Sequence, residues 1–359
     1  NNDNPVNPEN PVQRVIEVDP AGNIVWEITG LAQPHEVQEL PNGNLLIADT
    51  YFDRVIEVDY DTKDILWEWN PKYIDWGLIN TNWSDPDHFY NSPFNYDWSH
   101  INDVNFKQYP MWNACLISIR NFDLVVEVNH TAERANENQN ANNWSNIVWY
   151  YGDYGNYSMI KHQHNPEYLS SGNVMIADSN NARVIEVDYA TKEIVWEFTD
   201  DGDVGWCRDA DEMANGNILI TDDDRVIEVN YTTKEVIWSF EQDLVLPYEA
   251  DELPDGNILI GTGGSGFVFE VDKSTGKISW QYGFSFIKTE FYMNCLMILV
   301  FNSLQLTMVL AGFQFQSRRL FGAILYGVLI AFVLFLLIFY ADVLYFFNSI
   351  SILDDSIYV

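Results

Sequence analysis

The chain has 359 residues and a net charge of −35, with 53 acidic residues set against 18 basic ones. A field of that sign excludes nucleic acid and anionic lipid headgroups as partners. It suits a surface bathed in concentrated salt, where counterions screen self-repulsion over a few ångströms, and so points to a halophilic archaeal source.

Composition divides the chain: up to about residue 285 it is polar and acidic, and from 286 on it is apolar. Residues 1–13, an arm rich in Asn and Pro, carry neither an initiator Met nor a signal peptide, so a processed or incomplete N-terminus is expected. A repeat begins at residue 14. RVIEVD occurs from Arg14, Arg54 and Arg183 and RVIEVN from Arg225, with weaker copies from Leu124 and Phe267. Each of these six copies leads through turn residues to two apolar residues and a tryptophan, at Trp26, Trp67, Trp149, Trp196, Trp238 and Trp280. Short β-branched and aromatic segments with such turns between them read as antiparallel hairpins.

Upstream of five hairpins lies a further strand pair, marked by NGNLLIAD from Asn42, CLISIR from Cys115, GNVMIAD from Gly172, NGNILITD from Asn215 and DGNILIGT from Asp255. A four-stranded unit recurring about every forty residues is the mark of a propeller blade. The expected fold is all-β: a six-bladed β-propeller over 14–285, followed by two transmembrane helices. Its first blade is incomplete, because residues 14–28 supply only the two outer strands.

The apolar tail, 286–347, holds two uncharged runs at about 291–313 and 320–341, each long enough to cross a bilayer. Arg318 and Arg319 lie between them, which puts that loop in the cytoplasm and both the propeller and the short tail 348–359 outside the plasma membrane. The two helices are expected to embed the chain in the membrane, with room for partner subunits of a membrane complex. Five sequons, at Asn82, Asn129, Asn143, Asn156 and Asn230, fit an exported, glycosylated domain. Three scattered cysteines signal neither a disulfide framework nor a zinc site.

Aligning the blades on their turn glycines exposes one slot eight residues earlier, at the start of the inner strand. It holds His35, His164, Arg208 and Tyr248, and WSHIND places His100 in the irregular blade's equivalent. Three of six histidines converging with an arginine on one funnel favour an anion-binding or catalytic site, since such donors suit a tetrahedral oxyanion. A three-histidine zinc or copper site, and imidazoles that merely plug the channel, are the competing readings; no metal is assigned. Asp49, Asp178 and Asp222 precede the repeat arginines and are expected to salt-bridge them or cap the turn. The RDADE and YEADE segments from Arg208 and Tyr248 are acidic enough for calcium but lack an EF-hand order.

WSHINDV from Trp98, SIRN from Ser118 and KHQHNPEYLSSGNVMIAD from Lys161 resemble, in order, segments of the PAPS-independent arylsulfotransferases. RDADEMANGN resembles haloarchaeal, membrane-anchored members of that family. The resemblance spans about residues 30–285. It implies that His164 takes a sulfuryl group from an aryl sulfate and passes it to a phenolic or glycan acceptor, with His100, Arg120 and His35 stabilising the anion and Arg208 and Tyr248 binding substrate. No cofactor is implied. The other expectation is a non-catalytic propeller that binds or scaffolds within a membrane complex.

Overall fold

The computed structural model describes residues 13–85, 88–89, 97–130, 146–199, 204–242, 244, 246–263 and 266–283. Each upstream pair and its hairpin form one antiparallel sheet, and there are five such four-stranded sheets. They comprise β3 (Pro34–Glu39) to β6 (Ile65–Trp69), with β4 (Leu45–Asp49) and β5 (Arg54–Val58) between; β7 (Ile101–Gln108), β8 (Asn113–Ile119), β9 (Leu124–Asn129) and β10 (Ile147–Gly152); β11 (His164–Tyr168), β12 (Val174–Asp178), β13 (Arg183–Val187) and β14 (Ile194–Phe198); β15 (Asp209–Glu212), β16 (Ile218–Thr221), β17 (Val226–Val229) and β18 (Val236–Phe240); and β19 (Pro247–Glu252), β20 (Ile258–Thr262), β21 (Phe267–Asp272) and β22 (Lys277–Gly283). The first copy of the repeat, β1 (Arg14–Val18) with β2 (Ile24–Thr29), stands as a two-stranded sheet. The architecture is thus an all-β propeller of five complete blades and a two-stranded sixth sheet.

Except in β21, where burial alternates, the third strand of each full blade is buried on both sides because it lies between neighbouring sheets: Val55, Ile56 and Val58 are at most 1% exposed. Its lone glutamate is buried too, and a buried carboxylate is tolerated only when its oxygens are satisfied. Asn44 Nδ2 donates to Glu57 Oε1 at 2.5 Å, Asn173 to Glu186 at 2.7 Å and Asn217 to Glu228 at 2.6 Å, so the NGN turn serves the glutamate of its own blade.

The residue after each RVIEV-D/N segment serves the preceding blade. Tyr60 Oη donates to Glu17 and Tyr231 Oη to Glu186, both at 2.5 Å; Tyr189 donates to Glu127, Lys273 pairs with Glu228, and His130 Nε2 lies 2.9 Å from Glu57. A return bond crosses four of these five junctions. The indole N–H of Trp26 donates to Tyr60 O at 2.7 Å, Trp149 to Tyr189 O at 2.8 Å, Trp196 to Tyr231 O at 2.8 Å and Trp238 to Lys273 O at 3.2 Å. Trp280 donates to Pro20 O at 2.9 Å, joining the last blade to the first sheet and closing the ring.

The two apolar runs and Arg318 and Arg319 lie outside the described residues, as does Asn143. Among the described residues no helix is long and apolar enough to cross a membrane. Asn82 and Asn156 are exposed, whereas Asn129 and Asn230 are half-buried at strand ends.

Candidate functional site

The aspartates that precede the repeat arginines do two jobs. One oxygen takes the arginine: Arg54 Nη2 meets Asp49 at 2.8 Å, Arg183 Nε meets Asp178 at 2.7 Å and Arg225 Nε meets Asp222 at 3.0 Å. Salt bridging was the sequence expectation. The other oxygen accepts a backbone N–H from the loop entering the inner strand, from Ala32 (2.7 Å), Lys161 (2.7 Å) and Gly205 (2.8 Å). In each blade that N–H lies three residues before the slot residue: His35, His164 and Arg208. The clamp therefore sets where each inner strand starts.

Strained backbone gathers at the same place. Gln33, His162 and Leu246, two residues before His35, His164 and Tyr248, have φ of 52°, 45° and 53°, and His100 itself has φ 48°. Left-handed geometry at non-glycine residues costs free energy and persists where the surroundings over-determine it, as at ligand sites.

All the slot residues meet. The His35 and His100 rings lie 5.0 Å apart edge to face, Tyr248 Oη is 3.3 Å from His35 Nδ1, and the Tyr248 and His164 rings are 5.9 Å apart. The Arg208 guanidinium stacks 3.8 Å from the Trp206 ring centre and 4.5 Å from that of Tyr248, and Trp206 meets His164 edge-on at 6.0 Å. His35, His100, His164 and Arg208 are no more than 4% exposed. Arg120 opens the turn between β8 and β9, and its backbone N–H donates to His100 O at 3.1 Å.

Burial is the main force holding His164 well below the ordinary histidine range, and the Arg120, Arg208 and His100 charges add to it. His35 is depressed in the same way, by burial first and then by His100, His164, Arg120 and Arg208. Both imidazoles are therefore neutral at pH 7. Ser179 Oγ lies 2.9 Å from His164 Nδ1, and the ring also makes a hydrogen bond to the His162 backbone. His100 Nδ1 is held by Asp97 Oδ1 at 2.8 Å.

Two buried donors, Trp206 Nε1 and Arg208 Nε, have no hydrogen-bond partner among the described residues. Trp206 was missed by the sequence reading because the position two before the slot is not a repeat: its counterparts are Gln33, Trp98, His162 and Leu246. Ser179 and Asp97 were missed for the same reason. The arrangement can cradle a small oxyanion beside a neutral imidazole.

Residues 6–184 match the arylsulfotransferase (ASST) family model, which supports an ASST-like family and, at that level, an arylsulfotransferase-like function. The matched span contains His35, His100, Arg120 and His164. Residues 131–290 match a second model, outer membrane protein assembly factor BamB. No curated protein matches the chain. Among solved structures, a Bacteroides caccae protein of unknown function is similar at 14% identity and TM-score 0.52, over 76% of this chain and 90% of that one, which is a likeness of fold. The WD40 β-propeller domain of Doa1 is similar at 11% identity and TM-score 0.48, covering 76% and 79%. A streptogramin B lyase is similar at 9% identity and TM-score 0.47, covering 76% and 73%.

Proposed function

We propose that the funnel transfers a sulfuryl group from an aryl sulfate to a phenolic or glycan acceptor through a sulfohistidine on His164. The observation that carries this reading is the pair of unpartnered buried donors, Trp206 Nε1 and Arg208 Nε, beside a buried neutral imidazole. In the first half-reaction the unprotonated ring nitrogen of His164 attacks sulfur, an N–S bond forms, and the S–O bond to the aryl group breaks with its electron pair leaving on the phenolate. The ring proton stays on the other nitrogen. In the second half-reaction the acceptor oxygen attacks the same sulfur, the N–S pair returns to the imidazole nitrogen, and the acceptor's proton passes to solvent. Arg208, Trp206, His35, His100 and Arg120 hold the sulfuryl oxygens as charge shifts onto them.

The test is incubation with 4-nitrophenyl sulfate and a phenol, following nitrophenol release and a sulfated histidine by mass spectrometry, beside His164→Ala. Release that depends on His164 supports the reading; release unchanged in the variant sinks it. The match of residues 131–290 to the BamB model favours a second reading, a non-catalytic propeller in a membrane assembly, which no release by the folded protein would support. A cell-surface location with the propeller outside is part of the first proposal. It rests on the apolar tail and the exposed sequons at Asn82 and Asn156, and protease accessibility on intact cells tests it.

A further inference from the structure

The inner strands that begin with the cationic slot continue with carboxylates. Glu36 follows His35, Asp103 lies three residues beyond His100 and Glu167 three beyond His164; Asp209 and Asp211 follow Arg208, and Glu249 and Asp251 follow Tyr248. The seven acids act on one another electrostatically. Among the described residues none forms an ion pair with Lys, Arg or His. Packing that much negative charge without a counter-charge is costly, and either protons or a cation must offset it.

Three of the acids converge further: one oxygen each from Asp209, Asp211 and Glu249 lie within 4.8 Å of one another. A second observation lies outside this trio. Asp103 is 6% exposed, its Oδ1 has no hydrogen-bond partner among the described residues, and its charge is felt by Glu36, Asp209 and Asp211. A buried carboxylate oxygen without a hydrogen-bond partner, within electrostatic reach of other carboxylates, has no stable account without a positive ligand or a proton.

We propose that Asp209, Asp211 and Glu249 bind a divalent cation, Ca2+ by preference, at the centre of the propeller. The donors are all oxygen, which selects a hard ion over zinc or copper. Calcium accepts irregular, carboxylate-rich oxygen sets, whereas magnesium demands a near-ideal octahedron and keeps several waters, so three carboxylates with oxygens within 4.8 Å of one another suit calcium better. Asn165 Nδ2 donates to Asp209 and reaches Glu249 at 3.5 Å, bracing two of the three ligands from a neighbouring blade. The strands supplying them, β15 and β19, belong to adjacent sheets, so the ion ties two blades together where their inner edges meet. This site does not depend on sulfuryl transfer.

The test is calorimetric titration of the EDTA-stripped full chain with CaCl2 and, separately, MgCl2, together with thermal unfolding in each salt. One Ca2+ per chain is expected, with a higher Tm in Ca2+. Asp211→Asn combined with Glu249→Gln, which keep side-chain volume, should weaken binding at least about tenfold. Asp64→Asn, at an exposed acid in the outer turn between β5 and β6, should not. No binding and no Tm shift at millimolar Ca2+ would mean that protons alone neutralise the acids and would overturn the proposal. Unchanged binding by the folded double variant, or equal loss in Asp64→Asn, would overturn it too. Should the double variant fail to fold, Glu249→Gln alone carries the comparison.

Discussion

The backbone N–H of Lys161 donates to Asp178 Oδ1 at 2.7 Å, while Asp178 Oδ2 takes Arg183 at 2.7 Å, three residues upstream and nineteen downstream of His164 in the same blade. Asp178 thus positions the imidazole without touching it. Asp178→Ala leaves a buried N–H and a guanidinium without their acceptor and should cost about 1–3 kcal/mol in urea unfolding. It should lower kcat more than it raises KM, with partial rescue in Asp178→Asn. A KM effect alone would contradict the positioning role.

The depressed pKa of His164 and His35 fixes the sign of two pH effects. Activity should persist below pH 6.5, because His164 stays unprotonated there, and the acid limb of kcat/KM should fall well under that value. The histidine contribution to stability falls with acid: below pH 6.5 the unfolded histidines bind protons that the folded ones refuse, so that contribution is fully present above 6.5 and declines as pH falls, while the buried acids, whose pKa values are raised, contribute in the opposite sense. An acid limb at or above 6.5 would contradict the neutral-imidazole assignment.

Trp206→Phe removes the indole N–H and keeps a ring for Arg208 to stack on. A hydrogen bond to a charged group contributes about 1.5–3 kcal/mol, so kcat/KM should fall roughly tenfold to a hundredfold with little change in Tm. A silent variant would exclude the indole from the oxyanion cradle.

Gly152 ends β10 with φ +109°, and a Cβ there would stand 2.2 Å from Asp123 O, a backbone atom that cannot step aside cheaply. Asp123 Oδ1 also holds His162 N at 2.8 Å, two residues before His164. Gly152→Ala should destabilise the fold by more than about 1 kcal/mol and reduce activity together with stability. Native stability in denaturant titration would contradict this.

The slot was legible because a fixed spacing to a turn glycine survives in four blades and a histidine motif marks the fifth. The repeat was legible for the same reason, and among the described residues it gives five complete blades and a two-stranded sheet, one full blade short of the six expected. What stayed hidden depends on residues that do not repeat: Trp206 two positions before the slot, Ser179 in a turn where Thr50 and Arg120 stand in other blades, and Asp97 beside His100. The second job of Asp49, Asp178 and Asp222 was also invisible, since a backbone N–H donor leaves no trace in the side-chain alphabet. The acid cluster was read as two separate segments, RDADE and YEADE, that lacked a metal-binding order; curvature of the ring supplies the proximity that linear spacing does not.

The closing junction is the odd one among the blade contacts. Elsewhere the indole bond is matched by a side chain returning to the neighbouring glutamate, but Pro20 occupies that position in the first sheet and offers only its carbonyl to Trp280. The contact joins residues 260 positions apart, so it forms only after the last blade has been synthesised. Until then the sheet of β1 and β2 lacks its bond to the last blade. Assembly is therefore gated at the seam: the interval between the emergence of the first sheet and the arrival of Trp280 is when this chain is most exposed to mispairing with a copy of itself.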